Sequence, residues 1–319
     1  PYTAFSYILR NYNVRRYGRE ANPPPLLEMA RQLQNAHSLG VNMRNLDEMT
    51  ITQAVLANNS AIGDTRLCEI MTSLVQNLHA FARDTKLTET EWQRGIDFLA
   101  QTGAANTPQR QHFALLSHVL GLSTLVLAQN DRKPAGCTET AAFHAPSAQP
   151  VLHLNPGADL SAGAAPPKGY VRGAVLDTRG NAIPHATLEV QPGCTHATRH
   201  IERALLQADE QGRYHFCTSL PDNPRILPDG PAGQLLAALN RPDRRPAHLE
   251  FTVQARGYQR LTTQVFRQDD PCLDSDPLFG VRSSLITQWQ RHPGGMTPAG
   301  TFSNEPFYTL AFDFVLANE

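Results

Sequence analysis

The sequence predicts an α+β protein, with an all-α N-terminal domain over residues 1–135 followed by an antiparallel β-sandwich over 136–319. The prediction has three grounds. Apolar residues before about residue 130 recur at helical spacings, Pro and Gly crowd in after Lys133, and beyond them come short runs of β-branched and aromatic residues separated by turn signals.

The elements follow in order. Met71, Leu74, Leu78 and Phe81, offset by three and four, make one face of a helix. Thr88 and Glu91, placed before Trp92, Ile96 and Phe98, form a capped helix start in which a hydroxyl and a carboxylate satisfy orphan amides. A further helix is expected from about Pro108 to Leu120, stopping at Gly121. Strands are expected at Tyr170–Leu176, Thr187–Val190, Tyr214–Thr218, Leu249–Gln254, Leu261–Phe266 and Leu310–Val315. The turns between them include 177–181 and 209–212.

Composition excludes several classes. With 28 basic and 29 acidic side chains in 319 residues there is no basic stripe, so nucleic acid is not an expected partner. No apolar run reaches the roughly 18 residues of a membrane span, and the first residues show no signal-peptide pattern. The five scattered cysteines fit reduced thiols in a cytoplasm rather than a disulfide framework. Tyrosines at 2, 7, 12 and 17, with Arg15, Arg16 and Arg19, suggest an arm that packs on a partner subunit.

The chemistry concentrates in Arg245-Pro246-Ala247-His248-Leu249-Glu250-Phe251. On a strand, residues i and i+2 share a face, so His248 and Glu250 point together. This stretch resembles the R-P-A-H-[IL]-H-F strand of the intradiol ring-cleavage dioxygenases (catechol, chlorocatechol and hydroxyquinol 1,2-dioxygenases), with Glu250 in place of the second histidine. The likeness continues through Glu91–Leu99, Arg110–Gly121 with His118 where an aspartate is usual, Gly173–Asp177, Gly180–Pro184, Asp229–Leu236, Leu261–Gln264, Leu273–Asp276, Phe279–Val281 and Phe312–Leu316. It spans roughly residues 85 to 316. Tyr214 matches a structural tyrosine of that family, and Asp274 and Asp276 read as turn carboxylates rather than a metal pair.

The resemblance implies ferric iron held by two tyrosinates and two histidines. The positions of the tyrosines fall near Arg199 and at Pro224, and no tyrosine stands between Tyr170 and Tyr214 or between Tyr214 and Tyr258. Of those ligands only His248 is retained. Arg245 and Gln264 match the family's arginine and glutamine that stabilise charge beside the substrate. The segment Ala142, His144, Ala145 and Pro146 matches a stretch that lines the substrate pocket.

The reading preferred from the sequence is therefore metal-independent acid/base chemistry, with no cofactor, on a small oxygenated ring: isomerisation, cyclisation, elimination or lactone chemistry. Glu250 and His248 move protons in this reading, Arg245 and Gln264 hold a developing oxyanion, and His196 or His200 serves as a second proton carrier. One alternative is an oxygenase with a rebuilt divalent site, in which His196, His200, His248 and Glu250 take Fe(II), Mn(II) or Zn(II), the last with Cys194. Another is a non-catalytic subunit that binds an aromatic or braces a partner. A third possibility leaves Arg245 and Glu250 as a structural ion pair in place of the metal. The resemblance also implies a homodimer joined through the helical domains, with a lipid at that interface.

Overall fold

The computed structural model describes residues 44–59, 63–107, 111–141, 151–161, 167–192, 203–226 and 228–319. The chain forms two compact units, 1–101 and 102–319. The expected N-terminal arm, Ala142, His144, Ala145, Pro146, Cys194, His196, Arg199 and His200 all lie outside the described residues.

In the first unit α1 (Ile51–Asn59) is followed by α2 (Thr65–Thr85). Asp64 caps α2 by accepting the Leu67 amide, and Thr72 and Val75 are its buried residues, with Met71, Leu74, Leu78 and Phe81 half-buried around them. Arg83 ties the two helices, donating to Thr52 Oγ1 and to the Glu48 carbonyl, each at 2.6 Å. The expected cap of α3 (Glu89–Ala104) is present: Thr88 N donates to Glu91 Oε2 at 3.0 Å and Glu91 N returns to Thr88 Oγ1 at 3.3 Å.

The second unit holds α4 (His112–Val119) and α5 (Leu122–Asn130), so the change of sequence character near residue 135 is not the division between the compact units. The helix expected to stop at Gly121 does so, because that residue takes a positive φ of 70°. The strands that follow are β1 (Leu152–His153), β2 (Lys168–Asp177), β3 (Thr187–Pro192), β4 (Ala204–Gln207) and β5 (Arg213–Ser219). After α6 (Pro231–Ala238) come β6 (His248–Gln254), β7 (Leu261–Arg267), β8 (Ile286–Thr287), β9 (Gln290–His292), β10 (Gly295–Met296), β11 (Phe302–Ser303), β12 (Phe307–Ala311) and β13 (Phe314–Leu316). One sheet has six strands in the order β1-β4-β3-β6-β7-β8; a second, of five, runs β13-β2-β12-β9 with β5 on the other edge of β2; β10 and β11 form a separate antiparallel pair.

Two expectations need correction. The sandwich is mixed rather than antiparallel, since β12 and β13 both run parallel to β2; they reach it after a long excursion, which frees their direction from that of a hairpin. The strand expected at Leu310–Val315 is also broken at Phe312 and Asp313. There the Ala174 amide is taken by the Asp313 carboxylate at 2.7 Å instead of a backbone carbonyl, and the Phe312 carbonyl accepts the buried Tyr214 hydroxyl at 2.6 Å. Tyr214 is thus structural, as the resemblance implied.

Between the sheets Leu188, Val190, Leu249, Phe251, Val253 and Val265 pack against Val171, Val175, Tyr214, Phe216, Leu310 and Phe314. Because Leu249, Phe251 and Val253 take the inner face of β6, His248, Glu250 and Thr252 face outward. The site lies on that outer face.

Candidate active site

On the outer face of the six-stranded sheet a cavity of about 260 Å³ is lined by Ala114, Leu115 and His118 from α4, Ser123, Thr124 and Leu127 from α5, and Arg245, Glu250, Gln264, Leu278, Gly280 and Ala141. The helical contributions repeat one spacing, i, i+1 and i+4, which is the stripe a helix lays on a flat surface.

Register decides what sits beside what. Pairing of β6 with β7 sets Glu250 opposite Gln264, and Gln264 Nε2 donates to Glu250 Oε2 at 3.2 Å. Gln264 Oε1 accepts from Arg245 Nη2 at 3.0 Å. The guanidinium forms a two-pronged pair with Asp276, Nε to Oδ1 and Nη2 to Oδ2, each at 3.0 Å. Asp276 also accepts the amides of Leu278 at 3.2 Å and Gly280 at 2.8 Å. Arg245 is therefore paired with Asp276, not with Glu250, which rules out the structural ion pair considered from the sequence.

The electrostatics follow from these partners. Burial pushes the Asp276 carboxyl up, but the bonds and charge of Arg245, with the two amides, carry it below its ordinary value. Glu250 has no such cation, so burial prevails over Gln264 and Arg245 and raises its carboxyl. His248 donates its Nδ1–H to the Pro246 carbonyl at 2.7 Å, which leaves Nε2 facing Arg245 Nη1 at 3.3 Å. Burial first, and then the nearby guanidinium, hold this imidazole down to about 3. His118 is likewise lowered, mainly by burial, and its Nδ1 bonds the Ala114 carbonyl at 2.6 Å.

Of the residues singled out in the sequence, Arg245, His248, Glu250 and Gln264 are brought together; Arg245, Glu250 and Gln264 line the cavity, and His248 stands behind Arg245. Pro224 is half-buried, and its carbonyl accepts the Arg245 amide at 2.9 Å, but it does not line the cavity. Sequence reasoning passed over Asp276, read only as a turn carboxylate, and Gly280. His118 was seen as a substitution, and its offset of four from Ala114 carried the signal that it shares a helix face with the cavity wall.

Gly280 has a steric reason. A Cβ there would stand 2.9 Å from Arg245 Nη2, 3.1 Å from Gln264 Oε1 and 3.3 Å from Asp276 Oδ2. Gly280→Ala is expected to tilt the guanidinium and raise KM for the substrate about tenfold, with about 1 kcal/mol lost in stability. Steady-state kinetics would check this, and an unchanged KM would place the substrate elsewhere.

The described residues by themselves do not assemble the tyrosinate-based ferric set. Among them no tyrosine lines the cavity, His248 Nε2 is turned to a cation, and no three or more His, Cys, Asp or Glu side chains group as a metal site.

Comparison with known proteins defines the class. The family described as catechol dioxygenase N terminus matches residues 64–138, and the dioxygenase family matches residues 170–318. The chain is 41% identical over 283 residues to the 6-chlorohydroxyquinol 1,2-dioxygenase of Cupriavidus pinatubonensis, covering 86% of this chain and 99% of that protein. It is 37% identical over 279 residues to the hydroxyquinol 1,2-dioxygenase of Nocardioides simplex, covering 85% and 95%. The crystal structure of hydroxyquinol 1,2-dioxygenase from Pseudomonas putida superposes with a TM-score of 0.76 at 33% identity, covering 85% of this chain and 99% of that one. The chain belongs to the intradiol ring-cleavage dioxygenase family.

These relatives overturn the expectation of an isomerase-, lyase- or cyclase-like enzyme working without a cofactor. Proteins matched over nearly their whole length are dioxygenases, and the likeness points to iron rather than to none. The non-catalytic alternative is not supported either.

Proposed function

We propose that the chain is a ring-cleaving dioxygenase for a hydroxyquinol-like aromatic. The observation that carries this reading is the Arg245–Gln264–Asp276 lattice at the wall of a cavity of about 260 Å³, in a chain so similar to hydroxyquinol-type enzymes. Asp276 fixes the guanidinium in one orientation, so Arg245 meets a phenolate oxygen without first having to be ordered. Gln264 offers an amide beside it. Glu250, its carboxyl raised by burial, suits a substrate hydroxyl better than a second anion. His118 closes the helical side of the cavity as a neutral hydrogen-bonding group.

Iron is the cofactor this reading calls for, and if held here it would supply the chemistry that makes an aromatic diolate reactive toward oxygen. The donors that the described residues offer on the outer face of β6 are His248 and Glu250; His196 and His200 lie outside the described residues. We assign dimerisation to the helical part up to residue 135, whose α4 and α5 also wall the cavity, and the catalytic side chains of the sheet to residues 136–319, and we place the protein in the cytoplasm as a homodimer. Among the described residues no single helix is long and apolar enough to cross a membrane.

The test is oxygen uptake by iron-reconstituted protein given hydroxyquinol, with metal content measured in parallel. One oxygen consumed per ring opened is expected, with Glu250→Gln lowering turnover at least about tenfold. Iron-loaded protein that binds hydroxyquinol without consuming oxygen would overturn the proposal.

A further inference from the structure

A second cavity, of about 240 Å³, shares Leu115 with the first and is walled by His112, Arg225, Gly230 and Gly233. The helix α6 begins there. Gly230 is its N-cap, with no side chain closing the end, and Pro231 in the first turn brings no N–H. The first bond back along the helix is that of Gln234 N to the Gly230 carbonyl at 3.0 Å. The amides of Ala232 and Gly233, which precede it, carry the positive end of the helix dipole.

A separate observation marks the same place as a ligand site. His112 is only 8% exposed, and its Nδ1 has no hydrogen-bond partner. Its ring edge is pressed against the helix start: a Cβ at Gly230 would stand 2.3 Å from Cε1 and 2.6 Å from Nδ1. Glycine at 230 is what lets the imidazole reach the end of α6. A buried imidazole nitrogen left without a partner is disfavoured unless something binds it. Arg225 stands at the rim, bonded to Asp243 through Nε at 2.6 Å. Asp229 also lies at the rim, but it is exposed, so water screens its charge.

We propose that this cavity is a second ligand site, which binds a small oxyanion, carboxylate or phosphate, at the N-terminus of α6 with His112 and Arg225 as its side-chain donors. It does not depend on the ring-cleavage reading, and its ligand need not be a substrate. Helix N-termini bind anions through their free amides, and here an imidazole and a guanidinium add to that pull.

Titration calorimetry on the full chain, with inorganic phosphate and with maleate as probes, tests the assignment. One saturable site per chain is expected, weakened about tenfold or more by His112→Phe and by Arg225→Met, and unaffected by Gln264→Met in the other cavity. Arg225 is half exposed, so its variant keeps the test valid if His112→Phe does not fold. Tighter binding of maleate assigns the site to carboxylates, and tighter binding of phosphate assigns it to phosphates. The proposal is overturned if neither probe saturates, if binding survives both substitutions, or if it disappears in Gln264→Met.

Discussion

Arg245→Met is expected to abolish measurable ring cleavage and to cost about 3–5 kcal/mol of stability, because it strands a buried carboxylate. The Asp276 side chain is 3% exposed and that of Arg245 11% exposed, so water cannot take over the pairing. The pH dependence carries a sign. In the native chain the Asp276 carboxyl lies below its ordinary value, so its contribution is complete above about pH 4 and is lost as the pH falls through the folded-state value. Without the guanidinium, burial pushes the carboxyl up, and the variant should lose stability as the pH rises above the ordinary carboxyl value of about 4. Urea unfolding of both proteins between pH 3 and pH 7 checks this. Parallel pH profiles would mean that Asp276 is not held by Arg245. A smaller loss of turnover in Arg245→Lys than in Arg245→Met is also expected, since lysine keeps the charge but not the fork.

Gly173→Ala should be the most damaging small substitution in the sandwich. The added methyl would fall 1.7 Å from the Phe312 carbonyl oxygen and 2.7 Å from its carbon, and both are backbone atoms that cannot swing aside. Either β12 is driven off β2 or the Tyr214 hydroxyl loses its acceptor. A loss of about 4 kcal/mol or more is expected. The unfolding midpoint in urea measures it, and a near-native midpoint would show that the break between β12 and β13 is looser than described.

These two positions mark where the sequence was and was not readable. The outward face of β6 was legible because a period of two separates Leu249, Phe251 and Val253 from His248 and Glu250 without outside help. The cap of α3 was legible because Thr88 and Glu91 are three residues apart. The interruption at Phe312 was not, since it depends on a glycine far away in the chain that lets a carbonyl lie over its Cα. Nor was the partner of Arg245: Asp276 is 31 residues on, past β6 and β7, and a turn carboxylate looks alike whether it meets water or a guanidinium. The reading of the chemistry failed differently. It weighed a mismatch with the family's ligand pattern at a few positions above a likeness that runs through nearly the whole length of known dioxygenases.

The alternation along β6 has a consequence for how this protein can change. Inward and working residues are interleaved one by one on a single strand, so an exchange at 248 or 250 alters the chemistry without touching the core between the two sheets, whereas the loss or gain of one residue reverses both roles at once. A deletion at Ala247 would turn Leu249 toward the ligand and bury a carboxylate among Leu188, Val190 and Phe314. Diversity in this segment is therefore accessible to point replacement and closed to indels, and a library built for new substrates should hold the length from Arg245 to Gln264 constant while varying the outward positions.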